Sequence, residues 1–278
     1  MFEYAYPEIL VDTQWLSAHL EDPNVRIIEM DLSSELYEQG HIPGSIFWNA
    51  MTTSLTPDLR FNFDQAAMSE MLGNAGITNE TTIVTVHHSY AATSGCLFWL
   101  FKVSGHDKVR ILNGGRQKWL MDGYSLTKEK TIVEKTQYRA QTPDKSSIIS
   151  LEEVQKSLGK DDCILLDVRT PQEYGGEIFL MEPPKDNERA GHIPGAINLY
   201  YELAHNDDGT FKSYTELQEL FAQKNVTAEK LIIPYCALGA RSGHTWFILK
   251  YLLGYPNVKN YDGSWNEWSR ISSLPIEI

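Results

Sequence analysis

One short segment of the sequence combines a cysteine, a glycine and an arginine. It runs from Pro234 to Ser242, and it places Cys236, Gly239 and Arg241 between an apolar run and a helical pattern. A helix N-terminus and a nearby cation favour the thiolate, which is the nucleophilic form of cysteine. The glycine allows backbone N–H groups to converge on an anion held at the sulfur. The predicted anion-binding residues of this loop are Ala237, Leu238, Gly239, Ala240 and Arg241.

A free cysteine is more often a small buried apolar residue than a nucleophile. The chain has three cysteines and no CxxC pair, which fits neither a disulfide framework nor a zinc cluster. Cys163 opens an apolar run and Cys96 lies within the helical pattern SGCLFWLF, so both are predicted to be structural. Cys236 differs because a glycine, an arginine and a helix follow it, and this context favours the nucleophile.

The segments around Cys236 alternate between strand and helix patterns. CILLDV (163–168) and KLIIPYC (230–236) are short apolar runs, as expected of strands buried on both faces. Helical spacing is found from Ile148 to Leu158, with Ser150 as a candidate N-cap, and from Ser242 to Leu253. This alternation predicts an α/β fold with a mostly parallel sheet and helices on both faces.

The chain repeats itself once. GHIPGSIFWN (40–49) recurs as GHIPGAINLY (191–200), and the segment around Trp119 matches the segment around Trp268. Two matched blocks in the same order indicate two duplicated domains of the same α/β type. The predicted organisation is a first domain at 1–126, a polar linker at 127–145 and a second domain at 146–278.

The composition excludes several partners. Apolar residues make up 42% and charged residues 22% of the 278, and the formal net charge is −13. A charge of this sign disfavours nucleic acid and anionic membranes, because both bind basic surfaces. The sequence contains no apolar run long enough to span a bilayer and begins without a signal-peptide pattern, so a cytoplasmic protein is expected.

Several motifs together resemble the tandem-domain rhodanese family of thiosulfate and 3-mercaptopyruvate sulfurtransferases. They are Cys236 with Arg241, the paired HIPG motifs, Asp167-Val-Arg169 and the closing YDGSW segment. The resemblance covers essentially the whole chain, and NVKNYDGSWNEW and RSGHTWF are most similar to bacterial thiosulfate sulfurtransferases. It implies two rhodanese-like domains with the catalytic loop only in the second.

The first copy lacks the reactive pair. Aligning Trp119 with Trp268 places His87 opposite Cys236 and Ala92 opposite Arg241, so the first domain is predicted to be catalytically inactive. Neighbouring histidines on an extended segment point to opposite sides, so His87 and His88 are not expected to bind one metal ion. The HIPG histidines, His41 and His192, recur in both copies and are therefore expected to have a structural role.

The resemblance implies a sulfurtransferase that moves a sulfane sulfur from thiosulfate to cyanide or a thiol through a persulfide on Cys236. The expected partners are a small anionic donor and a thiol or thioredoxin-like acceptor, without a metal ion or organic cofactor. Arg241 could bind the donor together with Arg169 or Arg189. A family arginine is replaced here by Glu173, and Arg169 is more readily explained by an ion pair with Asp167 or Glu173.

Three alternatives remain open. The first is a 3-mercaptopyruvate sulfurtransferase, although the Cys-Gly-Ser-Gly-Val motif typical of that class is absent. The second is a Cdc25-like phosphatase, whose loop between cysteine and arginine is one residue longer and encloses a tetrahedral phosphate. The third is a non-enzymatic persulfide carrier, which would have the same loop without turnover of a small donor.

Overall fold

The structure, a computed structural model, describes residues 3–179 and 182–278. The chain forms two compact units. The N-terminal unit consists of Tyr6–Asp144 together with His205–Lys212. The C-terminal unit contains the described residues of 1–5, 145–204 and 213–278. Among the residues described, no helix is long and apolar enough to cross a membrane.

The N-terminal unit is built on a five-stranded parallel sheet with the strand order β1-β5-β4-β2-β3. Its central strands consist of consecutive buried residues, which is the pattern of a strand covered on both faces. The strands are β1 (Leu10–Val11), β2 (Val25–Asp31), β3 (Ile46–Asn49), β4 (Thr82–His87) and β5 (Val109–Leu112). The helices are α1 (Thr13–Ala18), α2 (Glu35–Gln39), α3 (Gln65–Asn74), α4 (Ala92–Val103) and α5 (Gly115–Met121).

Helix α4 follows β4 directly and is buried over almost its whole circumference, with Lys102 as the exception. The sequence predicted a buried helix over 94–104, and α4 confirms it with a start two residues earlier. The segment predicted as a linker has no helix or strand between Met121 and Lys145. Its backbone nevertheless pairs with the N-terminal unit through Thr127 and His41, and Tyr138 is buried.

The C-terminal unit contains a three-stranded parallel sheet with the order β7-β6-β8. The strands are β6 (Cys163–Asp167), β7 (Ile197–Asn198) and β8 (Leu231–Tyr235). The helices are α6 (Leu151–Ser157), α7 (Pro171–Tyr174), α8 (Tyr214–Ala222), α9 (Ala240–Phe247) and α10 (Ser264–Arg270). A π-helix over Ile248–Leu252 continues α9. Parallel strands alternating with helices confirm the predicted α/β class.

Local sequence signals account for several boundaries. Ser150 caps α6 through a reciprocal pair of hydrogen bonds with Glu153, as the Ser-x-x-Glu pattern predicted. Helix α9 begins at Ala240, two residues before the predicted start. The reason is that Gly239 adopts a left-handed φ of 90° immediately after the strand–loop segment, which allows the helix to start at once.

The duplicated motifs occupy equivalent structural positions in the two units. His41 and His192 contact the carbonyl oxygens of Tyr37 and Tyr174 through Nδ1, at 3.0 and 2.9 Å, and stack on those tyrosine rings. These contacts confirm the structural role predicted for both histidines. Trp119 and Trp268 are buried in the cores of their units, as expected of core residues.

Candidate active site

Cys236 lies at the carboxyl end of β8, in the loop that leads into α9. Ligands of open parallel sheets bind at this end of the strands, and a helix N-terminus there presents N–H groups without intrahelical partners. The side chain is buried. The end of β8, the left-handed turn at Gly239 and the start of α9 therefore bring Cys236 and Arg241 into one loop.

The Cys236 sulfur accepts a hydrogen bond from the loop backbone and lies near two serine hydroxyls, which donate to the Gly239 and Tyr261 carbonyl oxygens. The Gly239 N–H donates to Sγ at 3.1 Å. The hydroxyl oxygens of Ser242 and Ser264 lie at 3.7 and 4.0 Å from Sγ. An N–H donor this close to sulfur stabilises a negative charge on it. The Gly239 N–H is thus placed to stabilise a negative charge at Sγ.

The loop backbone is braced by residues 260–266, around the N-terminal end of α10. The Cys236 N–H donates to Ser264 Oγ at 3.0 Å, and the carbonyl oxygens of Cys236 and Ala237 accept from the N–H groups of Trp265 and Asn266 at 2.9 and 3.0 Å. The Asn260 side-chain amide lies 3.4 Å from the Gly239 carbonyl oxygen. These bonds fix the peptide planes on both sides of the cysteine.

Arg241 forms a bidentate ion pair with Glu173. Its two terminal nitrogens donate to the two carboxylate oxygens at 2.6 and 2.7 Å, and both side chains are almost completely buried. Burial works to raise the pKa of Glu173, but the hydrogen bonds and charge of Arg241 outweigh it and the pKa is lowered. Glu173 is therefore ionised at neutral pH, and it compensates the charge of Arg241.

The other two predicted donor-binding cations are bonded elsewhere in the unit. Arg169 is fully buried, and its guanidinium donates to both oxygens of Asp167 and to the Gly191 carbonyl oxygen. The structural ion pair predicted for Arg169 is thus present. Arg189 donates to the carbonyl oxygens of Ile271 and Leu274, at 2.6 and 2.5 Å.

Sequence reasoning missed the loop-bracing residues Ser264, Asn260 and Ser242. For Ser264 and Asn260, comparison of the two sequence copies could have indicated their role. Aligning Trp119 with Trp268 places Gly115 opposite Ser264 and Ile111 opposite Asn260, so the second copy has polar side chains behind the loop where the first copy has none. Glu173 was noted as a departure from the family pattern, but its bond to Arg241 was not foreseen.

The equivalent place in the N-terminal unit is occupied by His87 at the end of β4. Its Nδ1 lies 3.1 Å from Ser94 Oγ. Burial, followed by the charges of His205 and His88, lowers its pKa from 6.5 to about 3. His88 is paired instead with Glu29, so the two histidines do face different partners. Within 3–179 and 182–278, no group of three or more His, Cys, Asp or Glu side chains could hold a metal ion.

The rhodanese-like domain model matches residues 12–122 and again residues 150–271. These matches cover both copies of the duplication and the loop of Cys236. The chain belongs to the rhodanese family, as a tandem of two rhodanese-like domains.

Similar proteins extend over nearly the full chain. The sulfur carrier protein TtuD of Thermus thermophilus is 42% identical over 278 residues, covering 98% of both chains. A protein of Mycolicibacterium smegmatis, provisionally named a thiosulfate sulfurtransferase, is 39% identical over 276 residues and covers 99% of both. A structure of an EanB variant, with ergothioneine covalently linked with a cysteine persulfide, has a TM-score of 0.89 at 26% identity, covering 100% of this chain and 71% of that chain.

Proposed function

We propose that Cys236 accepts a sulfane sulfur from thiosulfate and carries it as a persulfide to a thiophilic acceptor. The observation that carries this proposal is the position of Sγ, which lies at the N-terminal end of α9 and accepts the Gly239 N–H at 3.1 Å. The N–H groups of Ala237, Leu238, Ala240 and Arg241 complete the anion-binding loop in this proposal.

The reaction proceeds by double displacement. The Cys236 thiolate attacks the outer sulfur of thiosulfate, a new S–S bond forms, and the bond to the sulfonyl sulfur breaks with its electron pair leaving on sulfite. Preorganised N–H donors stabilise the terminal sulfur anion of the persulfide, as they do an oxyanion in acyl transfer. A nucleophilic acceptor, either cyanide or a thiol, then removes that sulfur and restores the thiolate, so ping-pong kinetics are expected.

The relatives support this chemistry at two levels. Thiosulfate as the donor is favoured by the name of the Mycolicibacterium smegmatis relative and by the similarity around Arg241 to Phe247. Persulfide chemistry on this fold is favoured by EanB, which has been solved with a persulfide on a cysteine. In this proposal the N-terminal unit, with His87 in place of the nucleophile, does not take part in the chemistry.

A persulfide carrier is a second candidate, because the Thermus thermophilus relative is a sulfur carrier protein. A carrier and an enzyme share the persulfide and differ in the acceptor and in turnover. A phosphatase is less well supported, since Glu173 already occupies both terminal nitrogens of Arg241 that would bind a phosphate. A 3-mercaptopyruvate sulfurtransferase would use the same cysteine and release pyruvate.

The test is intact-protein mass spectrometry after incubation with thiosulfate. We expect a gain of one sulfur atom on Cys236, removed by cyanide, and multiple turnovers of thiosulfate with cyanide as acceptor. Cys96→Ser and Cys163→Ser serve as matched controls that should retain the gain, whereas Cys236→Ser should lose it. Sulfur found on Cys96 or Cys163 instead would refute the assignment, and a single stoichiometric transfer without turnover would favour the carrier.

A further inference from the structure

The charges next to the catalytic loop cancel in pairs. Asp167 binds Arg169, and Glu173 binds Arg241, each through two or more hydrogen bonds in a buried setting. The charges of Arg169 and Glu173 also act on each other. Two carboxylates therefore match two guanidiniums, and the cation contributed by the loop itself has no excess charge for an incoming anion.

Glu173 is fixed in place by its own helix. Its Oε2 accepts the N–H and the hydroxyl of Thr170, both at 3.1 Å, in the reciprocal N-terminal cap of α7. Glu173 N–H donates back to the Thr170 hydroxyl at 3.2 Å. A carboxylate held by four donors, two from Thr170 and two from Arg241, is not easily displaced by a small dianion.

We infer that Glu173 determines the charge of the donor that the site prefers, because by neutralising Arg241 it penalises the second negative charge of a dianion. This inference rests on the proposed sulfur transfer at Cys236 and refines its substrate class. The backbone donors of the loop are sufficient for a sulfur anion with one charge. Thiosulfate remains a donor, as in the proposed function, but singly charged sulfane-sulfur anions, such as thiosulfonates and organic persulfides, are expected to react with a higher kcat/KM.

Two donors of the same reaction type isolate this effect. Thiosulfate carries two negative charges and methanethiosulfonate carries one, and both present a terminal sulfur on a sulfonyl sulfur. Attack by the Cys236 thiolate forms the same persulfide and releases sulfite from the first and methanesulfinate from the second, each taking the electron pair of the broken S–S bond. The ratio of kcat/KM for the two donors measures the penalty on the second charge.

The variant is Glu173→Gln, which keeps a hydrogen-bonding side chain and removes the charge. We expect the ratio of thiosulfate to methanethiosulfonate kcat/KM to rise at least about tenfold, equivalent to about 1.4 kcal/mol. Glu152→Gln is the matched control, since it removes one carboxylate charge from the same unit at an exposed pair with Lys156.

Ionic strength provides a test on the unmodified protein, in case the variant does not fold. The formal charge is −13, so a dianion without an unmatched cation is repelled. Added salt that shortens the Debye length from about 30 to about 10 Å screens this repulsion. The kcat/KM for thiosulfate should therefore rise more steeply with salt than the kcat/KM for methanethiosulfonate. A steep fall for thiosulfate would reveal an unmatched cation and overturn the inference.

The failure of this inference can be told from the failure of the proposed function. Persulfide on Cys236 with a ratio unchanged in Glu173→Gln would refute the role of Glu173 alone. No persulfide on Cys236 with either donor would refute the proposed sulfur transfer itself.

Discussion

Ser264 and Gly115 occupy equivalent positions in the two copies, and both have a left-handed backbone, with φ values of 53° and 55°. Glycine adopts this conformation freely, but a residue with a Cβ is strained there by about 1 kcal/mol or more. In the first copy a side chain would have no room, because a Cβ on Gly115 would lie 2.6 Å from the His87 ring. In the second copy the smaller Cys236 leaves space, and the hydroxyl of Ser264 accepts the Cys236 N–H.

A serine in this strained conformation indicates that its hydroxyl is functionally important, through its hydrogen bond with the Cys236 N–H. Ser264→Ala loses the hydroxyl and keeps the strain, whereas Ser264→Gly loses the hydroxyl and relieves the strain. Both should lower kcat/KM by about tenfold, because the Cys236 peptide is no longer held. Denaturant unfolding should show the alanine variant to be less stable than the glycine variant by about 1 kcal/mol. Unchanged kcat/KM in both variants would mean that the hydroxyl does not position the loop.

The buried His87 predicts a pH-dependent stability. Its pKa is about 3 in the folded protein and 6.5 ordinarily, owing first to burial and then to the charges of His205 and His88. The unfolded chain therefore binds a proton that the folded chain excludes, and stability is lost as the pH falls from 6.5 towards 3. His87→Ala should flatten the dependence of the free energy of unfolding on pH in that range. Equal slopes for both proteins would contradict the burial of a neutral imidazole.

His87→Ala also tests whether the N-terminal unit takes part in the reaction. His87→Ala should leave sulfur transfer at pH 7.5 nearly unchanged, even though the cavity lowers stability by about 2 kcal/mol. Turnover with thiosulfate and cyanide, measured well below the unfolding temperature, checks this. A folded His87→Ala variant without turnover would show that the N-terminal unit takes part in the reaction.

Because Arg241 and Glu173 form a buried ion pair, substitutions of the two residues should have strongly non-additive effects on the free energy of unfolding. Arg241→Met leaves a buried carboxylate without its partner, and should cost about 3 kcal/mol or more. Adding Glu173→Gln removes that charge, so the double variant should recover most of the loss. Chemical denaturation of the two single variants and the double variant measures the coupling. Additive losses would show that the two side chains do not interact in solution.

The sequence was sufficient to predict elements that depend on local or repeated patterns. The strand before Cys236 follows from a run of apolar residues, and the cap of α6 follows from the spacing of Ser150 and Glu153. Placing Cys236 at a strand–helix junction required only the order of these elements. The ion pair of Arg169 and Asp167 was also predictable, because the two residues are neighbours along one strand end.

Contacts between distant segments could not be predicted in the same way. The sequence offered Glu173 only as a partner of Arg169, and the three-dimensional position of α7 places it on Arg241 instead. Likewise, no local pattern indicates that His205–Lys212 packs with the N-terminal unit, although the surrounding chain belongs to the C-terminal unit. These contacts depend on the three-dimensional arrangement of distant segments, which the spacing of residues along the sequence does not determine.

The segment His205–Lys212 offers the last prediction. Its Phe211 is buried, and the Phe211 N–H donates to the Asn113 side-chain oxygen at 2.9 Å. The Gln117 amide donates to the Asp207 carbonyl oxygen, also at 2.9 Å. Phe211→Ala should therefore destabilise the N-terminal unit by about 3 kcal/mol, because a buried aromatic ring is lost there.

Hydrogen exchange with peptide-level mass spectrometry locates the effect. Exchange in Phe211→Ala should increase most in β5 and α5, which flank Asn113, and less around the Cys236 loop. Asp207→Ala is a matched control in the same segment, since the bond from Gln117 goes to its backbone carbonyl and not to its side chain. If exchange in Phe211→Ala rose mainly around α8 and β8, the segment would have to be reassigned to the C-terminal unit. A fragment starting at residue 146 would keep this segment but lose Asn113 and Gln117, and we therefore expect it to leave Phe211 exposed to solvent and to aggregate more readily than the full chain.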